Sequence, residues 1–139
     1  LIREVVTVGP NEPIRSVAWM MREKRIGCVL VVEHGKIVGI FTERDMVYRV
    51  VAGGFDPNTT PVSECMTRDT RTVSPEEPLT RVFELLSMRK FRHIPLAVDG
   101  RPVGMVSLTD FAGVLAEVFG EDRYQQYFVQ YLQQRPRDS

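Results

Sequence analysis

The sequence has no surplus of charge and no long hydrophobic run. Lys and Arg total 18 and Asp and Glu total 18, so the formal net charge is zero. A chain that binds nucleic acid through phosphate contacts usually carries a basic surplus, so we expect no nucleic-acid partner. No apolar run reaches the roughly 18–20 residues that cross a bilayer, and no secretory signal pattern is visible, so we expect no membrane partner.

The sequence also has only two cysteines and two histidines, and they lack the spacing of metal ligands. Cys28 opens an apolar run, where a free cysteine acts as a small buried hydrophobe, and Cys65 is far away in sequence. This usage predicts a reducing compartment, the cytoplasm, and no metal. Neither a Cys–His or Ser–His–Asp set nor a Gly-rich phosphate loop with Lys is present, so we expect a protein that is not an enzyme.

An internal repeat is the main feature that the sequence does have. Residues 7–46 align with residues 72–111 at a constant shift of 65 positions, without a gap, and ten of the forty pairs are identical. Unrelated segments of average composition would share about two or three identities. The identical positions include prolines, turn glycines and one acid, which is Asp45 in one copy and Asp110 in the other. The chain is therefore interpreted as one structural unit used twice.

Each copy has the same order of predicted elements. A short β-rich run comes first, and apolar residues at helical spacing then predict an amphipathic helix. Two apolar strands follow, and the turns His34-Gly35 and Asp99-Gly100 between them favour hairpins. A closing helix completes the order β-α-β-β-α, an α/β (α+β) fold. The residues at the apolar positions of the two amphipathic helices are Ile14, Val17, Ala18 and Met21, and Leu79, Val82, Phe83 and Leu86.

The repeat divides the chain into three parts: residues 1–55 are the first copy, residues 56–118 the second copy with its lead-in, and residues 119–139 a tail. The stretch 53–61 is dense in turn formers and predicts the connecting loop, and 61–66 predicts a lead-in turn of helix. Position 1 corresponds to position 66, so the first copy lacks its own lead-in and we expect further residues upstream.

The tail has an aromatic stripe at helical spacing, which predicts an amphipathic helix. Two interpretations stay open: the stripe packs on its own module, or it contacts a second subunit, since tyrosine suits partly wet interfaces. The residues of the stripe are Tyr124, Tyr127, Phe128, Tyr131 and Leu132.

A seven-residue pattern occurs in both copies: Gly, two hydrophobic residues, Ser or Thr, two residues of any type, and Asp. It spans 39–45 and 104–110, with Thr42 and Ser107 at the hydroxyl position. One interpretation is a capping box, in which hydroxyl and carboxylate bind free amides of the first helical turn. The other is a ligand site, because a helix N-terminus with a hydroxyl suits phosphate and a carboxylate can accept the two hydroxyls of a ribose.

With this pattern present twice in a gapless repeat, the chain resembles a tandem pair of CBS domains, a family named after cystathionine β-synthase and also called the Bateman module. The resemblance covers nearly all of residues 1–118 and implies tandem CBS repeats followed by a C-terminal amphipathic helix. It implies a regulatory module that needs no cofactor and binds AMP, ADP or ATP, with S-adenosylmethionine as an alternative, in clefts between the repeats. It further implies a homodimer that acts on an unidentified regulated protein. The competing interpretation is a ligand-free interaction or dimerisation scaffold with the same fold.

The resemblance also implies roles for particular residues. The Ser or Thr and the Asp of the pattern would bind phosphate and ribose, and threonines ending the first strand would line the base pocket. The positions just before the acids and the two basic residues that lead into the second strand of the second copy would contact phosphate. Each has a structural alternative as a helix cap, a strand residue or an exposed helix residue. The first copy has Gly27-Cys28 where the second has Arg92-His93, so the two clefts are expected to differ. The ten candidate ligand-binding residues are Thr7, Thr42, Arg44, Asp45, Thr72, Arg92, His93, Ser107, Thr109 and Asp110.

Overall fold

The structure, a computed structural model, describes residues 5–68, 70–87, 92–108, 112–113, 116–117 and 133. The described chain forms two compact units. The first unit comprises Val5–Thr70 together with Asp99–Pro102, and the second comprises Arg71–Val98 and the described chain from Val103 onward. The predicted aromatic helix of the tail lies outside the described residues.

The first unit contains a three-stranded sheet with one helix on each side of the hairpin in sequence. The strands lie in the order β1-β2-β3, with β1 parallel to β2 and β2 antiparallel to β3. The bounds are β1 Thr7–Val8, α1 Ile14–Lys24, β2 Cys28–Glu33, β3 Lys36–Thr42 and α2 Glu43–Asp45. Helix α2 continues without a break as a π-helix, Met46–Val51, and a 3-10 turn follows at Val62–Glu64.

The second unit repeats this plan within its described residues. Its elements are α3 Leu79–Leu86, β4 His93–Val98 and β5 Arg101–Ser107, the first two residues of which are grouped with the first unit, and β4 is paired to β5. The bridge between Val73 and Leu96 is parallel and stands 65 positions after the pair Val8 and Val31, which joins β1 to β2 in the first unit. The two copies therefore share their strand pairing as well as their sequence pattern.

Both hairpins turn at the predicted dipeptides. His34 and Gly35 have φ values of 53° and 78°, and Asp99 and Gly100 have φ values of 52° and 79°. Two consecutive residues with positive φ define the type I′ turn, whose twist matches that of the flanking strands. The hairpin predictions are confirmed.

Each unit has its own hydrophobic core. The first core contains Val8, Ile14, Val17, Met21, Val29, Val31, Phe41, Val50, Val62, Cys65 and Met66, and the second contains Val73, Val82, Leu85, Leu86, Ile94, Leu96 and Val106. The predicted apolar stripe of α3 is narrower than expected, because Phe83 is exposed. No helix among the described residues is long and apolar enough to cross a membrane.

The predicted lead-in turn belongs to the first unit. The side chains of Val62, Cys65 and Met66 in this turn are buried in the first core. The next residue, Thr67, pairs with Ile40 through two backbone hydrogen bonds of 2.8 and 2.9 Å. The chain thus ends its first repeat, crosses the connecting loop, and returns to the edge of β3 before it enters the second repeat.

Candidate functional site

The Thr42–Asp45 turn joins β3 to α2 and forms a capping box. The Asp45 amide donates to Thr42 Oγ1 at 3.1 Å, and the Thr42 amide donates to Asp45 Oδ2 at 3.0 Å. The Thr42 hydroxyl also donates to Asp45 Oδ2 at 3.1 Å. A short polar residue with an acid three positions later satisfies the free amides at a helix start in this way. The capping interpretation of the repeated pattern therefore holds in the first copy.

The Asp45 carboxylate receives two further groups from outside this turn. The Thr67 hydroxyl donates to Asp45 Oδ1 at 3.0 Å, and Arg49 Nε lies 3.4 Å from the same oxygen. Asp45 is only 6% exposed, so these groups replace the water that a carboxylate normally binds. The acid of the pattern is thus buried and surrounded by hydrogen-bond donors.

Gly39, the glycine of the pattern, allows the lead-in to approach β3. A Cβ atom at position 39 would lie 2.5 Å from Met66 Sδ and 3.0 Å from the Thr67 carbonyl oxygen. Since part of that obstacle is backbone, a larger residue would push the Met66–Thr67 segment away from the strand. The glycine therefore serves the contact that brings the Thr67 hydroxyl to Asp45.

Amides at the start of α2 are already bound by protein groups. The Glu43 amide donates to the Gly27 carbonyl at 2.9 Å, and the Asp45 amide donates to Thr42 as described above. In the second unit the Leu108 amide donates to the Arg92 carbonyl at the same distance of 2.9 Å, 65 positions further on. The entry to each closing helix is therefore tied to the start of the preceding hairpin.

The remaining candidate residues of the first copy lie near this turn or across the sheet from it. The Arg44 guanidinium lies 5.1 Å from the centre of the exposed Tyr48 ring, a cation–π contact. Thr7 is exposed on β1 opposite Leu30, with β2 between it and Thr42. The structure brings Thr42, Arg44 and Asp45 together and leaves Thr7 two strands away.

The second copy is described in part. Arg92 is exposed, and its carbonyl contacts the residue that follows Ser107, so these two candidate residues lie close to each other. His93 begins β4 and Ser107 ends β5, both half-buried, and Thr72 is exposed just before the bridge at Val73. The candidates Thr109 and Asp110 lie outside the described residues.

Arg49 and Thr67 are functional candidates that the sequence analysis missed. Arg49 stands four positions after Asp45, the spacing at which oppositely charged side chains meet on a helix, so a local signal existed. Arg49 also donates from Nη1 to the Met66 carbonyl at 2.9 Å, which ties the helix to the lead-in. Thr67 lies 22 positions from Asp45, and no local pattern predicts that contact.

The two cysteines are free thiols in buried positions. Burial, with a smaller effect of the Glu43 carboxylate, raises the pKa of Cys28 to about 12. Burial also raises the pKa of Cys65, with smaller upward effects of Glu64 and Asp45 and an opposing effect of Arg49. Since the thiolate is the form that attacks substrates and binds metals, a raised pKa lowers the fraction of each thiol in that reactive form. Within the described ranges, no cluster of three or more His, Cys, Asp or Glu side chains could hold a metal ion.

Comparison with known proteins identifies the family. The CBS domain model matches residues 1–52 and 62–117. A relative from Bacillus subtilis, the CBS domain-containing protein YhcV, is 35% identical over 109 residues, which are 78% of this chain and 77% of that protein. The chain belongs to the CBS domain family and carries two copies of the domain.

Solved structures show the same fold. A protein with CBS domains from Burkholderia ambifaria matches with a TM-score of 0.75 at 32% identity, over 86% of each chain. The CBS domain pair of protein MJ0100 matches with a TM-score of 0.74 at 27% identity, over 83% of this chain and 90% of that chain. That neighbour was solved in complex with 5′-methylthioadenosine and S-adenosyl-L-methionine. The predicted fold of tandem CBS repeats is confirmed.

Proposed function

We propose that this chain is a regulatory sensor that binds an adenosine-containing ligand, of the AMP, ADP or ATP class, at the duplicated Ser/Thr-x-x-Asp turns of its CBS repeats. The observation that carries the proposal is the duplicated Ser/Thr-x-x-Asp turn, in which the first copy holds a buried carboxylate against a hydroxyl at a helix start. Its support from outside the chain is the neighbour MJ0100, whose two ligands both contain adenosine. No catalytic set stands beside these turns in the sequence, so the role is binding rather than catalysis.

In this proposal the two acids, Asp45 and Asp110, accept the ribose hydroxyls. A carboxylate acceptor suits a vicinal diol, because the two hydroxyls can donate to one carboxyl group. The hydroxyls of Thr42 and Ser107 and the nearby Arg44 and Thr109 meet phosphate, and Thr7 and Thr72 line the base. Arg92 and His93 have Gly27 and Cys28 at the matching positions, so the two clefts differ in their attraction for phosphate.

Calorimetry with AMP, ADP and ATP tests the ligand class. We expect saturable heat for the unaltered chain and a loss of affinity of at least about thirtyfold at each site when Asp45→Ala and Asp110→Ala are combined, since hydrogen bonds to charged groups are strong. Asp56→Ala, an exposed acid of the connecting loop, is the control and should bind as the unaltered chain does. Circular dichroism at the titration temperature shows that each variant is folded.

The scaffold interpretation predicts the opposite result in the calorimetry. A CBS pair without a ligand would give no saturable heat with any of the three nucleotides, or with S-adenosylmethionine, at millimolar concentration. If the combined aspartate variant binds nucleotide with the same heat as the unaltered chain, the ligand binds elsewhere on the chain. The roles proposed for the two aspartates would then be wrong.

We further propose that the protein acts in the cytoplasm as a homodimer that passes the bound state to another protein. Exposed apolar side chains on one helical segment, those of Val47, Tyr48 and Val51, support a subunit contact. Light scattering should give about twice the monomer mass of 15.9 kDa, and removal of residues 121–139 should weaken the dimer or destabilise the fold. A single monomeric species at tens of micromolar would contradict this assembly.

A further inference from the structure

We propose that Thr67 sets the affinity of the Asp45 site, because its hydroxyl occupies the acceptor position on Asp45 that a ribose hydroxyl would use. The inference rests on the proposed function and deepens it. It assigns a role to the residue that directly follows the lead-in, which lies outside both copies of the repeated pattern.

The first step is the hydrogen-bonding capacity of the carboxylate. An ionised carboxylate has two oxygens with about four acceptor positions. Oδ2 of Asp45 accepts from the amide and the hydroxyl of Thr42, while Oδ1 accepts from the Thr67 hydroxyl and lies next to Arg49 Nε. Three hydrogen bonds from protein groups therefore leave about one of these positions free, and a ligand diol, which needs two, can bind Asp45 only when one donor moves away.

The second step identifies the group that moves. Thr42 is fixed, because its amide and hydroxyl form the helix cap that starts α2. Arg49 is held in place by a separate hydrogen bond of 2.9 Å to the Met66 carbonyl. Among the described residues the Thr67 side chain has one hydrogen-bond partner, Asp45, and it can rotate about χ1 while the backbone of Thr67 stays paired with Ile40. A ribose hydroxyl would replace it with a group of the same chemistry.

The third step is the consequence for affinity. If ligand and Thr67 compete for one acceptor, the free energy of the Thr67 hydrogen bond is subtracted from that of ligand binding. Removal of the hydroxyl should then tighten binding by about tenfold or more, because a hydrogen bond to a charged group stands at the strong end of the range. A purely structural role for Thr67 predicts the opposite sign, since a loosened site binds more weakly.

The experiment is calorimetry with AMP on the full chain in an Asp110→Ala background, which leaves Asp45 as the acid that reports binding. Thr67→Val removes the hydroxyl but keeps the β-branched shape, and Thr67→Ala is a second hydroxyl-free variant in case the first does not fold. Thr67→Ser keeps the hydroxyl and should bind AMP with the same affinity as the chain that carries Asp110→Ala alone. Thr59→Val, at an exposed position of the connecting loop, is the matched control.

We expect Thr67→Val and Thr67→Ala to bind AMP about tenfold more tightly or better, with Thr67→Ser and Thr59→Val unchanged. Affinity that is unchanged or weaker in the hydroxyl-free variants would overturn the role of Thr67 and leave the proposed function in place. Absence of AMP, ADP and ATP binding by the unaltered chain would instead overturn the proposed function, and this inference with it.

Discussion

Replacement of Phe41 by alanine is expected to lower the free energy of unfolding by about 3–5 kcal/mol, the range for a buried aromatic side chain truncated in a packed core. Phe41 is fully buried at 0% exposure on β3, where it pairs with Val29, another residue with no exposed surface. Its ring belongs to the core that also contains Met66 of the lead-in. The cavity would therefore weaken the sheet and the contact that brings the lead-in to Asp45.

Urea unfolding followed by circular dichroism measures this loss. Trp19→Ala on α1 is the control, because that ring is 60% exposed and its removal should change stability by less than about 1 kcal/mol. A Phe41→Ala loss no larger than that of the control would show that the side chain is not in a packed core.

Replacement of Asp45 by alanine is expected to lower the free energy of unfolding by about 3 kcal/mol, because three partly buried donors lose their acceptor. The Thr42 amide, the Thr42 hydroxyl and the Thr67 hydroxyl all donate to this carboxylate. Arg49 adds little to the sum, since its side chain is half exposed and water can replace its partner. The half of the capping box in which the carboxylate accepts from the Thr42 amide would be lost in the same step, while the backbone amide at position 45 would still donate to Thr42 Oγ1.

A double-mutant cycle separates the parts of this effect. Thermal or urea unfolding of Asp45→Ala, Thr67→Val and the combined variant should show losses that are not additive, because the two residues share one hydrogen bond. Asp56→Ala removes an exposed acid and is the matched control. Additive losses would mean that the Thr67–Asp45 contact contributes nothing to the folded state.

The fold could be predicted from the sequence because the patterns that indicate it are local and occur in both copies. The glycine turns, the helical spacing and the gapless shift predicted both hairpins and the element order, and the structure shows equivalent strand pairs at Val8–Val31 and Val73–Leu96. Phe83 departs from its predicted burial, since helical periodicity indicates a face but does not fix how much of that face is covered.

Only those contacts of the site that join residues close together in sequence could be predicted. Thr42 and Asp45 are three positions apart, so their mutual capping follows from sequence spacing. The Thr67 hydroxyl reaches Asp45 from a segment that follows the connecting loop, and that contact depends on the packing of Val62, Cys65 and Met66 in the first core. A long-range contact of this kind depends on the tertiary structure, and no periodic pattern in a single sequence predicts it.

The most direct test of the central claim is mass spectrometry of the small molecules released when the purified, full chain is denatured. A ligand-sensing CBS pair should release an adenosine-containing compound in a defined ratio to protein, and that compound should rebind to the emptied chain. Release of a compound without a ribose diol in a defined ratio, with no rebinding of AMP, ADP, ATP or S-adenosylmethionine, would contradict the account.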